Sequence, residues 1–401
     1  MAKLAMVVFA YYPADIRVRR EAEALVETGI SVDVICLKGD SEPKNEIVDG
    51  VQIYRLPLQR RRARKLRYIW EYFCFFTLSF FCLSLLYLRN QYKVIHVHNM
   101  PDFLVFSSLL PRLCGSKIIL DLHDPMPEVF MAKYNVGINH PIIRFIIELE
   151  KYSIKYSDIV ITIDIACLDL FISRGCPKKK IYLVMNSPQE KFFGKNNNQL
   201  SKKNKIDTKN FVIIYNGTIV ERNGIDIALK AIALVRNKIP NIVFNVYGEG
   251  DFVNRFLELV GKLNLKDIVN YYGQIHLKQI VSSIQSSDLG LIPNKPSIHW
   301  EHAFPTRIFE YLSQGVPVIA PRTRGIRDYF CEESIFFSEP GDPESIARVI
   351  LEVYNNNDRV RAVLEKGISI YKKHRWELQR QHLLKLVTRL LGLETRQNKK
   401  F

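Results

Sequence analysis

Short apolar runs that alternate with helix-like segments constrain the fold of this chain more than any other feature. Residues 4–10 form the first run, residues 16–28 carry apolar side chains at helical spacing, and residues 32–37 form the second run. A strand, a helix and a second strand in this order indicate a crossover unit with parallel strands. No G-x-G-x-x-G turn follows the first run, which argues against a dinucleotide oxidoreductase.

The alternation occurs twice, on either side of residues 190–210, which are rich in Asn and Lys. Such a segment is typical of a solvated linker, and 401 residues suit two domains better than one core. We therefore expect an α/β fold with two doubly wound, Rossmann-like domains. The predicted bounds are residues 1–200 and 206–375 for the domains and 376–401 for a C-terminal helix. The predicted strands are residues 4–10, 32–37, 94–99, 118–122, 157–164 and 181–185, then 211–215, 242–247, 269–272, 288–292 and 318–320.

The chain is strongly basic, with a net charge of +16. Such a surface attracts anionic membranes, phosphorylated substrates or nucleic acid. Nucleic acid is the least supported of these partners, because the charge lies in linker, tail and pre-helix runs without a stacking module. The seven cysteines form no C-x-x-C pair, which argues against a zinc site and for a reducing cytosol. Met1 leads directly into a strand-like run, so we expect no cleavable signal.

A long helix is predicted over residues 68–88, where no residue from 72 to 88 is charged. Its length suits a membrane span, but strands of one sheet precede and follow it, and a spanning helix would separate them. We therefore expect one side to pack on the sheet and the other to face lipid or a partner. The basic residues at 60–67 suit anionic headgroups. A wholly buried core helix is the alternative.

Polar side chains follow two of the predicted strands. His98 and Asn99 end one strand, and His123 and Asp124 end the next, with Glu128 a few residues on. Polar groups at the carboxyl ends of strands in an α/β sheet lie where ligands bind. These residues are therefore candidates for a site in the first domain.

Residues 302–320 predict a short helix that leads into a buried strand. Pro305 suits the first helical position, and the amides of Thr306 and Arg307 would form an anion site at the helix start. Arg307 adds a positive charge, and Glu310, one turn on, could accept two sugar hydroxyls.

This segment resembles the donor-site signature of glycosyltransferase family 4, which has the GT-B fold of two domains facing a central cleft. In that family two carboxylates, with seven residues between them, flank a helix N-terminus and hold a nucleotide sugar. Glu310 matches the second carboxylate, and His302 stands in the place of the first. The resemblance implies that residues 206–375 bind the donor, that residues 1–200 bind the acceptor, and that the C-terminal helix crosses back to the first domain.

The run from Asp121 to Glu128 resembles bacterial surface-polysaccharide members of this family. In those members the matching histidine lies beside the transferred sugar, which makes His123 a catalytic candidate together with Glu310. Asp124 and Glu128 are candidates to bind or deprotonate an acceptor hydroxyl. The family also has an acceptor-facing loop after its first strand, and this implies acceptor-side roles for two further residues. Those residues are Asp15 and Arg17, beside His98 and Asn99.

The second domain supplies the remaining donor contacts that the resemblance implies. Gly217, Thr218 and Arg222 lie where the family holds the donor diphosphate, and they would share this role with Thr306 and Arg307. Two further positions match loops near the nucleoside. They are Gly248 and Gln274.

The implied enzyme is a retaining hexosyltransferase that moves a sugar from a UDP- or GDP-linked donor to a lipid-linked or cell-surface glycan. It would work as a peripheral protein at the cytoplasmic face of the membrane, without a cofactor. No metal is expected, because no D-x-D motif ends a strand and arginine can replace a divalent ion. Two alternatives remain open, a nucleotide-sugar epimerase of the same fold and an inactive sugar-nucleotide-binding subunit.

Overall fold

The computed structural model describes residues 2–60, 65–194 and 210–393. The chain divides into two compact units: the first runs through Asn186 and resumes at Gln379, and the second is Ser187–Leu378. Most of the predicted linker, and residues 61–64 of the predicted basic run, lie outside the described residues.

The first unit contains an eight-stranded sheet in its described part, in the order β3-β4-β2-β1-β5-β6-β7-β8. Every neighbouring pair is parallel except β3 and β4, which are antiparallel. The strands are β1 (Lys3–Tyr11), β2 (Ser31–Leu37), β3 (Asn45–Val48), β4 (Val51–Leu56), β5 (Val94–His98), β6 (Lys117–Leu122), β7 (Ile159–Thr162) and β8 (Ile181–Leu183).

Helices connect most of the parallel strands of this sheet, whereas β2 leads to β4 through β3. Asp15 caps the first helix by accepting a hydrogen bond from the main-chain N–H of Arg17. The helices are α1 (Ile16–Val26), α2 (Lys65–Asn90), a 3₁₀ helix (Asp102–Ser108), α3 (Leu109–Leu113), α4 (Met126–Tyr134), α5 (Pro141–Tyr156) and α6 (Ile165–Ser173).

One side of α2 packs on the sheet and the other is exposed. Phe75 is fully buried and meets the ring of Phe9 edge-on at 5.2 Å, whereas Trp70 is 64% and Leu85 63% exposed. The alternative of a wholly buried helix is therefore wrong. By length and composition α2 could also cross a membrane, and it alone among the described helices meets that test.

The second unit contains a six-stranded parallel sheet in its described part, in the order β11-β10-β9-β12-β13-β14. The strands are β9 (Phe211–Asn216), β10 (Ile242–Tyr247), β11 (Val269–Tyr271), β12 (Leu289–Leu291), β13 (Val318–Pro321) and β14 (Phe336–Ser338). The helices are α7 (Glu190–Phe193), a 3₁₀ turn (Glu221–Asn223), α8 (Ile225–Val235), α9 (Val253–Lys262), α10 (Leu277–Gln285), α11 (Ile298–His302), α12 (Arg307–Ser313), α13 (Arg324–Arg327), α14 (Pro343–Asn355) and α15 (Asn357–Lys373).

The last described helix, α16 (Trp376–Leu390), joins the first unit from Gln379 onward. Its Gln379 side chain accepts a hydrogen bond from Met185 N at 2.9 Å, and Arg380 forms an ion pair with Glu27 at 3.0 Å. The two units together are the α/β architecture expected from the sequence, with a doubly wound parallel sheet in each.

Three local predictions need correction. The β3–β4 hairpin was not predicted, although its turn is the dipeptide Asp49-Gly50, both with positive φ, a typical hairpin signal. No helix was predicted between the strand at residues 288–292 and the segment 302–320, where the structure has α11, which Ser297 caps by accepting from Trp300 N. The helix expected from Pro305 begins at Arg307, after a turn closed by Ile308 N and Pro305 O at 3.0 Å.

Candidate active site

The first group of candidate residues lies at the carboxyl ends of β5 and β6. His98 is in register with Asp121, so their side chains share one face of the sheet. His96 lies two residues before His98, and His123 lies two residues after Asp121, which continues the same face. We call these four side chains, His96, His98, Asp121 and His123, the histidine–aspartate row.

His123 is held on two sides. Its Nε2 lies 3.0 Å from His98 Nδ1, and the two rings are 11° from parallel with centroids 5.3 Å apart. This geometry fits a hydrogen bond in the plane of both rings. The main-chain N–H of His123 donates to Asn99 Oδ1 at 2.8 Å. Burial, with a smaller effect from Arg17, lowers the pKa of His123 to about 3, so the ring is neutral at pH 7.

Asp121 and His96 complete the row, and sequence reasoning missed both. Asp121 Oδ2 lies 3.3 Å from His96 Nε2 and 3.3 Å from His98 Nδ1. Burial opposes ionisation of Asp121, but His123 and the hydrogen bonds from His96 and His98 outweigh it and hold its pKa well below the ordinary value. The signal was the repeated spacing, His-x-His on β5 and Asp-x-His across the end of β6.

Glu21 of α1 lies against the row, with Oε2 3.8 Å from His96 Nε2. One ligand atom each from Glu21, His96, His98 and Asp121 fall within 4.8 Å of one another. Ligand atoms on a single tetrahedral zinc lie about 3.4 Å apart, so this group is wider than a zinc site. Hydrogen bonding accounts for the closer contacts, and the expectation of a metal-free enzyme stays a prediction.

Asp15, Arg17 and Asp124 form a charged group beside the row. Arg17 binds Asp15 through Nε and Nη2, at 3.2 and 2.9 Å, and its Nη1 lies 3.9 Å from Asp124 Oδ2. Burial opposes ionisation of Asp15, but the Arg17 guanidinium outweighs it and lowers the pKa of that carboxyl. The structure thus brings Asp15, Arg17 and Asp124 to the same sheet edge as His98 and His123.

Glu128 lies apart from this group. It is buried in the first turn of α4 and forms an ion pair with Arg174, which also binds Glu150 at 3.2 Å. Asp102 is also buried and accepts from Asn99 Nδ2 at 3.0 Å. The Glu128 carboxylate is therefore already paired with the partly buried Arg174, and the predicted acceptor role of Glu128 stays a prediction.

The second group lies at the carboxyl end of β9 in the second unit. Arg307 Nη1 donates to Asn216 O at 3.0 Å, and the guanidinium lies 4.8 Å from the centre of the Tyr215 ring. Gly217 has φ of +150°, and a Cβ at this residue would come within 3.0 Å of Arg307 Nη1. Glycine at this position therefore suits both the positive φ and the close approach of the guanidinium.

Glu310 lies one turn along α12 from Arg307 and accepts from Asn216 Nδ2 at 2.8 Å. Partial burial raises the pKa of Glu310, against the opposing effects of Asn216 and Arg307. The helix is placed by Tyr311, whose ring occupies the space that a Cβ at Gly290 would need. Asn216 was not among the predicted residues, although it ends a strand otherwise made of apolar and aromatic side chains and could have been selected for that reason.

The loop that follows β9, residues 217–223, is compact. A Cβ at Gly248 would come within 2.0 Å of Gly217 O, so these two glycines pack main chain on main chain. Thr218 O accepts from Asn223 Nδ2 at 2.7 Å, which fixes the loop. The side chain of Arg222 is exposed, and its carbonyl accepts from Lys295 N at 3.1 Å.

The remaining predicted residues lie around this loop or further out. Thr306 precedes α12 without a side-chain capping hydrogen bond, and His302 is the last residue of α11. Glu301, one position earlier, accepts from Arg324 N at 3.1 Å, so its carboxylate caps the start of α13. Gln274 is exposed beyond β11.

Buried amides at this edge are a feature that sequence reasoning missed. Asn294, after β12, is 1% exposed, and neither amide atom has a hydrogen-bond partner within the described ranges. Asn223 Oδ1 is likewise unpartnered there. A buried amide without partners costs about 1–3 kcal/mol, which a polar ligand would recover. The rule that polar residues after a buried strand mark a ligand site, here called the strand-end rule, selected His98 and Asn99 and would have found Asn294 as well.

Comparison with known families agrees with this division of the chain. Residues 14–187 match the family described as "Glycosyl transferase 4-like domain", and residues 196–369 match "Glycosyl transferases group 1". An uncharacterised glycosyltransferase of Methanocaldococcus jannaschii is 29% identical over 194 residues, 47% of this chain and 46% of that protein. The matched segment therefore spans about half the length of this relative.

Solved structures match over nearly the whole chain. Sucrose-phosphate synthase from Thermosynechococcus elongatus has a TM-score of 0.77 at 19% identity and covers 98% of this chain and 100% of its own. HepE of Anabaena, solved with UDP-glucose, has a TM-score of 0.72 at 14% identity, and the match covers 97% of this chain and 100% of the HepE chain. Identities this low show the fold, and the two family matches lie on the two units that the structure separates. The chain thus combines domains that match these two glycosyltransferase families with the GT-B fold.

Proposed function

We propose that this protein is a retaining, metal-independent glycosyltransferase of family 4. It transfers a hexose from a UDP- or GDP-linked donor to a lipid-linked or cell-surface glycan. The second unit binds the donor, and the first unit supplies the acceptor side and His123. The solved UDP-glucose complex of HepE supports a nucleotide sugar as the donor.

The arrangement of Arg307, Gly217 and Glu310 carries this proposal. A departing nucleoside diphosphate gains negative charge, so donors held in place before the reaction stabilise the transition state. Arg307 is held by the Asn216 carbonyl and the Tyr215 ring, and a guanidinium has five N–H donors, more than these contacts use. Glu310, oriented by Asn216, accepts ribose hydroxyls.

His123 and its neighbours suit the acceptor side. Its Nδ1 has no hydrogen-bond partner among the described residues, which leaves this atom for the transferred sugar. Asp124 is partly exposed next to Arg17 and suits an acceptor hydroxyl. Because Arg17 is already bound to Asp15, we assign it to positioning these carboxylates.

We further propose that the first unit docks on the cytoplasmic face of the membrane through α2. The exposed apolar face of α2 supports this, since soluble proteins rarely expose so many large apolar side chains together. Its members are Ile69, Trp70, Phe73, Phe81, Leu85 and Leu88. A lipid-linked acceptor would then lie in the same membrane as the enzyme.

The proposal is tested with a thermal-shift screen of UDP- and GDP-sugars on the purified protein. A ligand at 100 times its Kd stabilises the native state by about 2.7 kcal/mol, so one donor class should raise the Tm by several degrees. Radiolabelled transfer from that donor to a membrane lipid extract follows, with the anomeric configuration of the product read by NMR. Inversion, or isomerisation of the donor without an acceptor, would contradict the proposal.

Gly217→Ala is the matched variant for the donor site. Its added Cβ would displace Arg307, so donor affinity should fall at least tenfold. Gly115→Ala is the control, because Gly115 also has positive φ, +97°, with nothing within 4 Å of the added Cβ. Both variants should lose similar stability, about 1 kcal/mol, and equal donor affinity in the two would contradict the assignment.

A further inference from the structure

The histidine–aspartate row defines which ring nitrogen of each histidine carries hydrogen. A carboxylate only accepts hydrogen bonds, and Asp121 Oδ2 contacts His96 Nε2 and His98 Nδ1. These two nitrogens therefore carry the hydrogens. His96 stacks on His98 with ring centroids 4.2 Å apart, which fixes both rings against Asp121.

The pattern continues to His123. His98 Nδ1 lies 3.3 Å from Asp121 Oδ2, whereas His123 Nε2 lies 3.6 Å from the same oxygen, too far for a hydrogen bond. Because His98 Nδ1 is the nearer donor, its N–H is shared between Asp121 Oδ2 and His123 Nε2, which lies 3.0 Å away. His123 Nε2 is then an acceptor, and a neutral imidazole carries a single hydrogen. This hydrogen must lie on Nδ1, the atom without a protein partner in the described part of the chain.

We propose that Asp121, acting through His98, is a positioning residue that holds His123 as an Nδ1–H donor toward the substrate. The proposal rests on the proposed function, because it assumes that His123 meets the transferred sugar. A ring with the opposite tautomer would present a lone pair to the same hydroxyl. The orientation of a catalytic imidazole by a buried carboxylate is a recurring device, and loss of the correct tautomer costs orders of magnitude in rate.

The row is built as this role requires. All four side chains are at most 2% exposed, so the contacts within the row are shielded from solvent. Asn99 holds the main chain of His123 independently through its N–H. Removing Asp121 should therefore change the tautomer of His123 without moving its main chain.

The direct test is to read the ring tautomers in ¹⁵N-histidine-labelled protein by long-range ¹H–¹⁵N NMR, with the His123 signals assigned by their loss in His123→Gln. The wild-type ring should show Nδ1–H, and Asp121→Val should show mainly Nε2–H. An Nε2–H ring in the wild type, or no change in Asp121→Val, would overturn the proposal. This measurement needs no substrate. A failure to find sugar transfer would overturn the proposed function but would leave the tautomer measurement valid.

Kinetics separate positioning from general damage. Asp121→Val should lower kcat about 100-fold and leave the affinity for UDP unchanged. Asp33→Asn is the control, a buried aspartate on β2 that binds Tyr92, and it should keep kcat within about twofold. His98→Asn keeps an N–H near the place of Nδ1 and should be at least tenfold faster than His98→Leu. Equal rates for these two variants would overturn the role of His98.

Discussion

The pKa of Glu310 is subject to opposing effects. Partial burial raises its pKa, while Asn216 and Arg307 favour the ionised form without fully offsetting burial. A native carboxyl with a raised pKa binds more protons than the unfolded chain between the two pKa values. Stability is therefore lost as pH rises from the unfolded pKa through the folded one. At neutral pH the native chain carries this cost, which is typical of a residue kept for ligand binding.

Glu310→Gln should therefore be more stable than the wild type and bind the donor less well. The amide removes the ionisation cost, so we expect a gain of about 0.5–2 kcal/mol at pH 7 and none below the unfolded carboxyl pKa. Donor affinity should fall at least tenfold, because the ribose loses a charged acceptor. Denaturant unfolding at pH 7 and pH 4, with calorimetric donor binding, measures both effects. A less stable variant at pH 7 would contradict the direction of the pKa shift.

The residues that could be predicted are those that a strand-end rule selects. His98, His123 and Asp124 follow apolar runs and gather at one sheet edge. Asp121 and His96 lie within strands, and a polar residue inside an apolar run does not by itself indicate a functional site. Their role depends on the register of β5 against β6, which a sequence does not contain.

At the scale of elements, α2 combines two tasks in 26 residues. Phe75 and Leu83 pack against the sheet, while Trp70, Phe73 and Phe81 are exposed. The uncharged stretch predicted the helix but could not tell a buried face from an exposed one, because both are apolar. Short elements such as the β3–β4 hairpin were missed, since four residues give too little periodicity to recognise.

Replacing exposed apolar residues of α2 should release the protein from membranes. The triple variant Trp70→Ser, Phe81→Ser and Leu85→Ser removes side chains that are at least 60% exposed, so the fold should be retained. We expect the wild type to pellet with phosphatidylserine-containing liposomes and the variant to stay in the supernatant. Each basic residue near the membrane surface adds about 1 kcal/mol to the binding of anionic lipid. Added salt should therefore weaken membrane binding by the wild type.

The control for this prediction lies in the second unit. Leu234 and Leu257 are 49% and 46% exposed, and serine at both positions removes apolar surface away from α2. That variant should pellet like the wild type. A wild-type protein that stays soluble with anionic liposomes would contradict membrane docking, and equal release of both variants would mean that α2 is not the docking surface.

At the scale of the whole molecule, the two units carry different kinds of charged and titratable group. The grouping of histidine and carboxylate ligands that the described residues offer lies in the first unit, around the histidine–aspartate row. The carboxyl end of β9 in the second unit instead carries Arg307, with Arg222 exposed on the loop that follows. Charge on a departing diphosphate would thus be met by guanidinium groups fixed on the protein.

This division predicts that turnover is insensitive to chelation and sensitive to Arg307. EDTA should leave kcat of the purified enzyme within about twofold, because the guanidinium supplies the positive charge that a divalent ion would otherwise provide. Arg307→Ala should lower kcat about 100-fold or more, and added Mg²⁺ should not restore it. Arg236→Ala is the control, since Arg236 binds Leu263 O on another face of the second unit. Loss of activity in EDTA that Mg²⁺ restores would show that the leaving group is met by a metal ion, and Arg307 would then hold the donor without carrying the chemistry.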